Sequence, residues 1–484
     1  MTKRFRFASI LSMAALFANA QVPTLLRDIN ANGASGATEI TCANGLVYFR
    51  ANDDIHGVEP WVSDGTTEGT VLLKDINPGD GGSVPFTFLE FNDRVYFAAN
   101  NGVDGYQLWS TDGTEAGTQF ELGVQDVQDL VYSSRFTVYN DMVVFMGETD
   151  AMGTELWRTD GTVAGTSLIK EINPGEFGSS PRGFTEYDGL LYFSASSPDV
   201  DEELWVTDGT TAGTHLVKDI DEGTGSGAPG DFAVANGLLF FKGDDGYAHD
   251  AELWATDGTT AGTYMVKDIV PGGNGSVPQN LVAFNNEVWF TAFTGSGSHL
   301  WHSDGTEAGT VMLELPPDLF GTPDHLAVHG GYINFSAFIG GSDEQLWKTD
   351  GTASGTVHIA LPGSTVNGAL YPANEITGCG DFIFFAANYD SAIGGEPYTL
   401  LSPVGIGEEA IANNSGLYPN PATDRLYLKD LPSKGTLRLY AADGSLALER
   451  SVRDMDISTL PSGLYLARIT AANGTVLHVQ RVVK

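Results

Sequence analysis

Positive charge is scarce in this sequence, which has 24 lysine and arginine residues against 62 aspartate and glutamate residues. So negative a chain repels nucleic acid and anionic lipid surfaces, and we expect neither as a partner. Cysteine is also scarce, because only Cys42 and Cys379 occur. Beyond the N-terminal segment, no apolar run approaches the roughly 18 residues that a membrane-spanning helix needs. We therefore expect no transmembrane segment, and a mature protein that is soluble or attached to a surface.

The motifs of common enzyme classes are missing as well. The nine histidines form no HExxH pattern and no paired spacing with cysteine, so no zinc site is indicated. No GxSxG elbow, phosphate loop or dinucleotide fingerprint occurs in a strand–turn–helix context. Nothing in the sequence argues for an enzyme. In so acidic a chain some pair of carboxylates will have the spacing of a glycosidase pair by chance, and the sequence alone cannot identify such a pair.

Residues 1–20 have the three parts of a secretory signal peptide. A basic stretch at Lys3–Arg6 precedes the apolar core Phe7–Phe17, and Ala18–Ala20 forms a cleavage site of small residues. The core is too short to span a bilayer. We predict that this segment directs export and is removed.

Internal repetition dominates the rest of the chain. Seven segments resemble ELWxTDGTxAGT, and an eighth copy is truncated. The copies begin at Glu59, Gln107, Glu155, Glu203, Glu252, His299, Gln345 and Glu396. A spacing of 46 to 51 residues suits one four-stranded β-propeller blade per copy. Because sustained helical periodicity is absent, we predict an all-β propeller over residues 21–404.

The contents of one period agree with four strands. Strands are predicted at Asp188–Ala195, at Glu203–Val206 and at Thr214–Ile220, and a less regular one around Phe232–Val234. The segment TDGTTAGT between the second and third has the turn chemistry of a hairpin.

The two ends of the repeat region complement each other. Thr24–Asn30 matches Val71–Asn77, which is the last strand of a repeat, and the copy at Glu396 lacks this element. The N-terminal strand is therefore predicted to complete the last blade and close the ring, which removes an open sheet edge. Eight blades are expected, and seven or nine blades stay open as alternatives.

Cys42 and Cys379 occupy nearly equivalent positions in the first and last copies, after Glu39-Ile40-Thr41 and after Glu375-Ile376-Thr377-Gly378. Ring closure would make them neighbours, and a disulfide requires that their Cα atoms lie within about 7 Å of each other. The alternatives are a disulfide across the seam and two buried free thiols.

Residues 416–484 form a different module after a short link at 405–415. The tail has nine basic and six acidic residues, and its alternating strands predict a small Ig-like β-sandwich.

This tail resembles the C-terminal sorting domain, type A-like, of the type IX secretion system of Bacteroidota. The matching residues are Leu417–Ala422, Leu426, Leu428, Leu439-Tyr440, Asp443-Gly444, Asp456–Tyr465 and Lys484. The resemblance implies signal-peptide export to the periplasm, then outer-membrane translocation with the type IX machinery as partner. The expected location is secreted or on the outer cell surface.

The repeats resemble the ELWxxDGT repeat family of bacterial surface proteins, for which no biochemical activity is agreed. The copies at Glu59 and Glu396 depart from the family pattern, because they read EPW and EPY.

One aspartate recurs in nearly every copy, before the glycine of the DGT turn. A ring of carboxylates could bind cations, but an aspartate that caps its own turn is favoured because every blade must make that turn. These turn residues are Asp64, Asp112, Asp160, Asp208, Asp257, Asp304 and Asp350.

Other acidic residues lie in loops that vary between blades, where binding sites are usually built on a regular scaffold. They are candidates for binding calcium, although none matches a twelve-residue calcium loop, and the alternative is a solvated acidic surface. The candidates are Asp53, Asp54, Asp199, Asp201, Asp244, Asp245 and Asp250.

A tryptophan at a fixed strand position in seven copies favours packing between blades over sugar stacking. The series is Trp61, Trp109, Trp157, Trp205, Trp254, Trp301 and Trp347, and Trp289 is a separate core residue.

Taken with the resemblances, these features predict a monomeric, non-enzymatic binding or adhesion propeller that engages a glycan or surface protein through its variable loops. Two alternatives stay open: a glycan-active hydrolase or lyase, and a structural component of the envelope or biofilm matrix.

Overall fold

Short β-strands make up nearly all of the regular structure. The computed structural model describes residues 23–103, 105–121, 136–162, 164–223, 225–272, 275–315, 319–339, 344–359, 369–370, 375–390, 392–401, 416–418, 425–429, 436–440, 446–451, 456–461, 464–470 and 476–484. The predicted signal peptide and link lie outside these residues. The chain divides into two units, one spanning Val22–Ala412 and one containing Asn413–Lys484.

Seven blades of the first unit are four-stranded antiparallel sheets, each formed by strands consecutive in the chain. Blades 1 and 2 contain β2 (Thr38–Ala43), β3 (Leu46–Asn52), β4 (Val58–Ser63), β5 (Val71–Leu72), β6 (Phe86–Phe91), β7 (Arg94–Asn100), β8 (Tyr106–Thr111) and β9 (Gln119–Phe120). Blades 3 and 4 contain β10 (Thr137–Tyr139), β11 (Met142–Thr149), β12 (Gly153–Thr159), β13 (Ser167–Lys170), β14 (Arg182–Tyr187), β15 (Leu190–Ser196), β16 (Glu202–Thr207) and β17 (His215–Lys218).

The remaining blades follow the same order. Blades 5 and 6 contain β18 (Gly230–Ala235), β19 (Leu238–Asp244), β20 (Ala251–Thr256), β21 (Thr263–Lys267), β22 (Gln279–Phe284), β23 (Glu287–Phe293), β24 (Ser298–Ser303) and β25 (Val311–Met312). Blade 7 contains β26 (Leu319–His329), β27 (Tyr332–Ile339), β28 (Glu344–Thr349) and β29 (Val357–His358). Blade 8 contains β1 (Thr24–Leu25), β30 (Ala369–Leu370), β31 (Thr377–Cys379), β32 (Phe382–Asn388) and β33 (Glu396–Leu401).

The predicted all-β, eight-bladed propeller is thus confirmed. The first strands of successive blades contact one another, and β31 of blade 8 contacts β2 of blade 1, which closes the ring. The only helical element among the described residues is a short 3₁₀ helix at Gly246–Ala248.

The blade boundary differs from the sequence-based expectation in one respect. The stretch around Phe232–Val234 lies in β18, which pairs with β19 and is the first strand of blade 5. Each blade therefore begins with this less regular strand, since it follows the long connection that leads from one sheet to the next.

Neighbouring blades pack through apolar side chains from facing sheets. In one cluster, Tyr48 of blade 1 lies against Phe88 and Phe97 of blade 2, and all three are buried. Aromatic and β-branched residues favour such pleated, half-buried surfaces, which accounts for the aromatic content of the repeats.

The ring closes on residues from both ends of the repeat region. β1 pairs antiparallel with β33, with Thr24 opposite Thr399 and Leu25 opposite Tyr398, and the Leu26 amide donates to the Pro397 carbonyl at 3.0 Å. This is the predicted completion of blade 8 by the N-terminal strand.

The two cysteines lie at the same seam. Cys42 and Cys379 form a disulfide with Cα atoms 5.3 Å apart, joining positions 337 residues apart in the sequence. Cys379 belongs to the apolar cluster between blades 8 and 1, which also contains Leu26 and Ile29, and the partly buried Cys42 packs against it.

The second unit contains two antiparallel sheets in its described parts. One pairs β34 (Gly416–Tyr418) with β35 (Tyr427–Lys429). The other has the order β37, β36, β38, β39, formed by Leu446–Ser451, Thr436–Tyr440, Leu464–Thr470 and Val476–Val483. The Ig-like arrangement of these sheets stays a prediction. Across the described parts of both units, no helix has the length and apolar character needed to cross a membrane.

Candidate functional site: loop face and channel

Antiparallel pairing places successive connections at alternate ends of a blade. One end therefore carries the loops between second and third strands and the connections between blades, and we call it the loop face. The other end carries the remaining hairpin turns, and we call it the turn face.

The turn face is nearly identical from blade to blade. In each DGT turn the aspartate Oδ1 accepts a hydrogen bond from the amide and one from the hydroxyl of the threonine two residues later; at Asp208 these bonds measure 2.8 and 2.6 Å. The same pair of bonds occurs at Asp64, Asp112, Asp160, Asp257, Asp304 and Asp350. The repeated aspartates therefore lie in a structural turn, as expected of Asp before Gly.

The loop face differs from blade to blade. Four of its apolar side chains are much more exposed than the other large apolar residues among those described, with exposed fractions of 72, 85, 90 and 103%. They are Ile55, Val103, Phe177 and Tyr247, from different loops. Burying such side chains against a partner would remove apolar area from water, so this distribution is typical of an interaction surface.

The loops between second and third strands, three of which carry Ile55, Val103 and Tyr247, are acidic. In the described residues of the loops between second and third strands there is no lysine or arginine. Those loops instead carry Asp53, Asp54, Asp150, Asp199, Asp201, Asp245, Asp250 and Asp390. The loop face thus combines isolated apolar tips with negative charge.

Most of the calcium candidates lie in these loops, while Asp244 ends β19 beside one of them. Asp53 accepts the amides of Ile55 and His56 and lies 2.7 Å from the His56 ring through its other oxygen. Asp245 pairs in the same way with His249, at 2.7 Å from its Nδ1. Among the described residues no three His, Cys, Asp or Glu side chains are grouped to hold a metal ion. Calcium binding therefore stays a prediction.

Within each of these pairs, the hydrogen bond to the aspartate changes the pKa of the histidine. The hydrogen bond to Asp53 raises the pKa of His56, and the corresponding bond to Asp245 raises that of His249. Burial alone would raise the pKa of Asp53, but the bonds from His56 and Ile55 outweigh it and lower that pKa. Both histidines therefore favour the charged form, whose bond to the aspartate holds the loop conformation.

The glutamate of the ELW motif is a functional residue of the scaffold that the sequence analysis did not identify. Glu59 is fully buried, and its carboxylate accepts the amides of Ile76, Asn77 and Ser83 and the Ser83 hydroxyl. It thereby ties the connection between blades 1 and 2 to β4. Equivalent buried residues are Glu155, Glu203, Glu252 and Glu396.

At the seam this carboxylate performs the same role between the two chain ends. Glu396 in β33 accepts the amides of Ile29 at 3.0 Å, Asn30 at 3.4 Å and Ser35 at 3.0 Å. The segment that follows β1 therefore replaces the connection that leaves every other blade.

Burial raises the pKa of Glu203 to about 7 and that of Glu396 to about 7, although the amide bonds oppose this change. Both groups bind protons more tightly in the native state than in the unfolded chain, where the pKa is 4.5. Their effect on stability is therefore most favourable below about pH 4.5 and worsens as the pH rises through 7, by about 3 kcal/mol for each group.

We expect the melting temperature of the wild type to fall between pH 5 and pH 8, and Glu203→Gln to reduce that fall. Glutamine occupies the equivalent position in two other blades, as Gln107 in blade 2 and Gln345 in blade 7. Thermal unfolding at four pH values and constant ionic strength measures the difference, with exposed Glu186→Gln as the control. A pH dependence identical in all three proteins would contradict the assignment.

A second polar region lies on the propeller axis. In six blades the first strand has a residue with φ between 53° and 73°, and the strand register shifts there. These positions are Glu39, Thr87, Gly183, Asp231, Asn280 and His325. Positive φ favours glycine, and other residues cost about 1 kcal/mol or more. Only blade 4 has glycine among them, so polar side chains occupy the axis despite this cost.

Between these strands lies a cavity of about 470 Å³, which we call the channel pocket. It is lined by Glu39, Ile40, Thr41, Thr87, Phe88, Phe136, Asn280, His325, Leu326, Glu375, Ile376 and Thr377. Side chains in its wall join neighbouring blades: Glu375 accepts the Ile40 amide at 2.5 Å, and Glu39 accepts the Thr87 amide at 3.1 Å. The residue corresponding to these positions in blade 3, Arg135, lies outside the described residues.

The tryptophan series lies in the core rather than on either face. Its seven members have exposed fractions of 1 to 9%, and Trp289 has 3%. Trp205, for example, belongs to a cluster with Tyr139 and Val144 of the preceding blade. These side chains therefore pack between blades, which leaves the loop face and the channel pocket as the candidate sites.

The chain thus consists of a β-propeller and a second unit of β-strands at its C-terminus. Residues 416–484 match the family described as a secretion system C-terminal sorting domain. The sorting domain is that of the type IX system, so the chain is secreted and reaches the cell surface by outer-membrane translocation.

More distant similarities concern the whole chain or its propeller. PorZ, an essential bacterial surface component of the type IX secretion system of Porphyromonas gingivalis, is 12% identical with a TM-score of 0.41, over 92% of this chain and 70% of that chain. A prolyl endopeptidase is 11% identical with a TM-score of 0.49, over 74% of this chain and 55% of that chain. Prolyl oligopeptidase B from Galerina marginata is 13% identical with a TM-score of 0.47, over 75% of this chain and 56% of that chain.

This chain therefore spans little more than half the length of either peptidase. Likenesses this distant carry no argument about activity. No curated protein matches the sequence.

Proposed function

We propose that this protein is a non-enzymatic binding propeller at the cell surface, which engages a glycan or a surface protein through its loop face. The observation that supports the proposal most directly is the exposure of Ile55, Val103, Phe177 and Tyr247 on one face only. A scaffold does not require these side chains, because equivalent loops of other blades lack them.

The contrast between the two faces supports the same function. The turn face repeats one set of hydrogen bonds in seven blades, whereas the loop face changes in length and composition. Regular scaffolds with variable loops at one end commonly bind through those loops. In this proposal the acidic loops keep the surface soluble, favour cationic or neutral ligands, and offer oxygen atoms to calcium.

The test uses the mature full chain, from residue 21, on a glycan array and on immobilised envelope proteins, with calcium or with a chelator. We expect saturable binding without cleavage products. The double substitution Ile55→Ser and Tyr247→Ser should weaken that binding at least tenfold, because exposed apolar anchors dominate such interfaces. Val311→Ser, at an apolar residue 41% exposed in β25, is the matched control.

Three outcomes would contradict the proposal or a part of it. Cleavage of any glycan would make the protein an enzyme. Binding unaffected by the double substitution would remove the loop face as the site. Equal binding with and without calcium would remove calcium as a cofactor, while the rest of the proposal would stand.

A further inference from the structure

The N-terminal segment at residues 24–35 differs from the outer strands of the other blades in how it is attached. In blades 1 to 7 the outer strand lies between two blades of the same chain. β1 precedes the first blade, so only the residues that lead to β2 join it to a blade. The segment can therefore leave blade 8 without displacing another blade.

The contacts of this segment come from a short run of residues. Its backbone pairs with β33 and donates three amides to the Glu396 carboxylate. The apolar side chains of Leu26 and Ile29 are buried between blades 8 and 1. Arg27 adds a hydrogen bond from Nη1 to the Thr70 carbonyl at 2.6 Å. One short peptide thus combines strand pairing, apolar burial and polar contacts.

A second set of contacts joins blades 8 and 1 without this segment. The disulfide between Cys42 and Cys379 links β2 to β31. Beside it, the Thr377 hydroxyl donates to the Ile40 carbonyl at 2.5 Å. These contacts lie on the inner strands, whereas β1 is the outermost strand of blade 8. The two blades therefore stay joined when the segment leaves, although the propeller becomes less stable.

Departure of the segment uncovers the edge of β33. In the complete blade, five of the six residues of this strand are buried. An uncovered apolar edge pairs with another strand, because its backbone donors and acceptors need partners. The N-terminal segment of a second copy has the same sequence, so it would form the same contacts at the same place. Exchange of an identical element between copies therefore costs little.

We propose that blade 8 accepts the N-terminal segment of a second copy, so that copies of this protein are linked by exchange of residues 24–35. The segment of the same chain has an effective concentration on the order of millimolar, and it prevails in dilute solution. The monomer predicted from the sequence is therefore the dilute form. Exchange is favoured where copies are crowded, as on a cell surface. This inference does not depend on binding by the loop face.

Cross-linking between two variants of the mature full chain, each with one added cysteine, detects the exchange. Thr24 lies opposite Thr399 where β1 pairs with β33. One variant carries Thr24→Cys, and the other carries Thr399→Cys and a tag that changes its size. A disulfide between these positions requires that the segment of one copy occupy blade 8 of the other. After mixing and mild oxidation, we expect a covalent heterodimer whose yield rises with protein concentration.

Val71→Cys is the matched control for Thr24→Cys. Val71 is exposed and begins β5, the counterpart of β1 in blade 1, which cannot leave its blade because it lies between two blades in the chain. Mixed with the Thr399→Cys variant, this control reports only random collisions. We expect it to give at least tenfold less heterodimer at every protein concentration.

A peptide tests the acceptor edge directly. The full-length double variant Leu26→Ala and Ile29→Ala holds its own segment weakly, so a synthetic peptide of residues 23–35 can replace that segment. We expect saturable binding of one peptide per chain, at least tenfold tighter than for a peptide with the same two alanines. The bound peptide should also raise the melting temperature of the variant, because it restores the buried contacts.

The proposal fails if the yield of heterodimer does not rise with concentration, or if it does not exceed that of the Val71→Cys control. It also fails if the peptide with both apolar residues binds no better than its alanine version. The cross-linking variants retain Leu26 and Ile29, so that assay decides the question even if the alanine variant does not fold. The loop-face substitutions at Ile55 and Tyr247 should leave the yield unchanged, which keeps this test separate from that of the proposed function.

Discussion

Replacing Leu26 and Ile29 by alanine is expected to lower the free energy of unfolding by about 6 kcal/mol, because each buried aliphatic truncation costs about 3 kcal/mol. Leu26 is 3% exposed and Ile29 is 8% exposed, and both lie in the cluster that joins blades 8 and 1. Since domains are commonly stable by 5–15 kcal/mol, a loss of about this size removes a large part of the total.

Denaturant unfolding of the full chain, monitored by tryptophan fluorescence, measures this loss. Thr24→Ala in β1 is the control, because the Thr24 side chain is exposed and its backbone lies opposite Thr399 of β33. If the double variant were as stable as the control, the N-terminal segment would not be holding the ring closed.

Removal of the disulfide is expected to cost about 4 kcal/mol. A cross-link between residues 337 positions apart restricts the unfolded chain strongly, and long loops give the upper part of the observed range of stabilisation. Cys42→Ala, Cys379→Ala and the double variant should lose the same amount, since each abolishes the same bond.

Thermal unfolding with and without a reductant distinguishes the bond from the packing of the side chains. The wild type should lose stability when dithiothreitol is added, whereas the three variants should not respond. Two thiols that react with a maleimide in the unfolded, unreduced wild type would show that the bond is absent.

The propeller was predictable because its evidence is repeated in the sequence. The segment of which Glu203–Thr214 is one copy recurs along the chain and predicts one hairpin per blade. A repeat of this kind must stack on its neighbours to bury its apolar face. The match between Thr24–Asn30 and Val71–Asn77 predicted the closure, because it shows that the strand missing from the last repeat lies at the other end of the chain. Only the boundary between blades was placed differently, because the first strand is the least regular.

The buried glutamates were visible in the sequence as the first letter of the ELW motif, but their role was not. A carboxylate before two apolar residues reads as solvent-exposed, and only the structure shows the connection folded back over Glu59 with its amides pointing inward. Five recurrences of glutamate before apolar residues were the available signal.

The channel pocket could not have been found by repetition. Its residues share a backbone conformation while their side chains differ, so Glu39, Thr87, Asn280 and His325 have no common pattern. Their proximity follows from the ring, which brings together positions that are distant in the sequence. The exposed tips of the loop face were hidden for a similar reason, because one apolar residue in a polar loop is unremarkable until its exposure is known.

Closure by the N-terminal strand also sets the order of events in the life of the chain. The Glu396 carboxylate and the Ile29 amide that it accepts are 367 residues apart, so the ring cannot be completed until nearly the whole propeller has been synthesised. Contacts this distant in sequence form slowly, since the entropy of a very large loop must be lost first. Until the segment around Glu396 has been made and can reach Ile29, the chain is therefore an open series of blades whose first and last members are not joined.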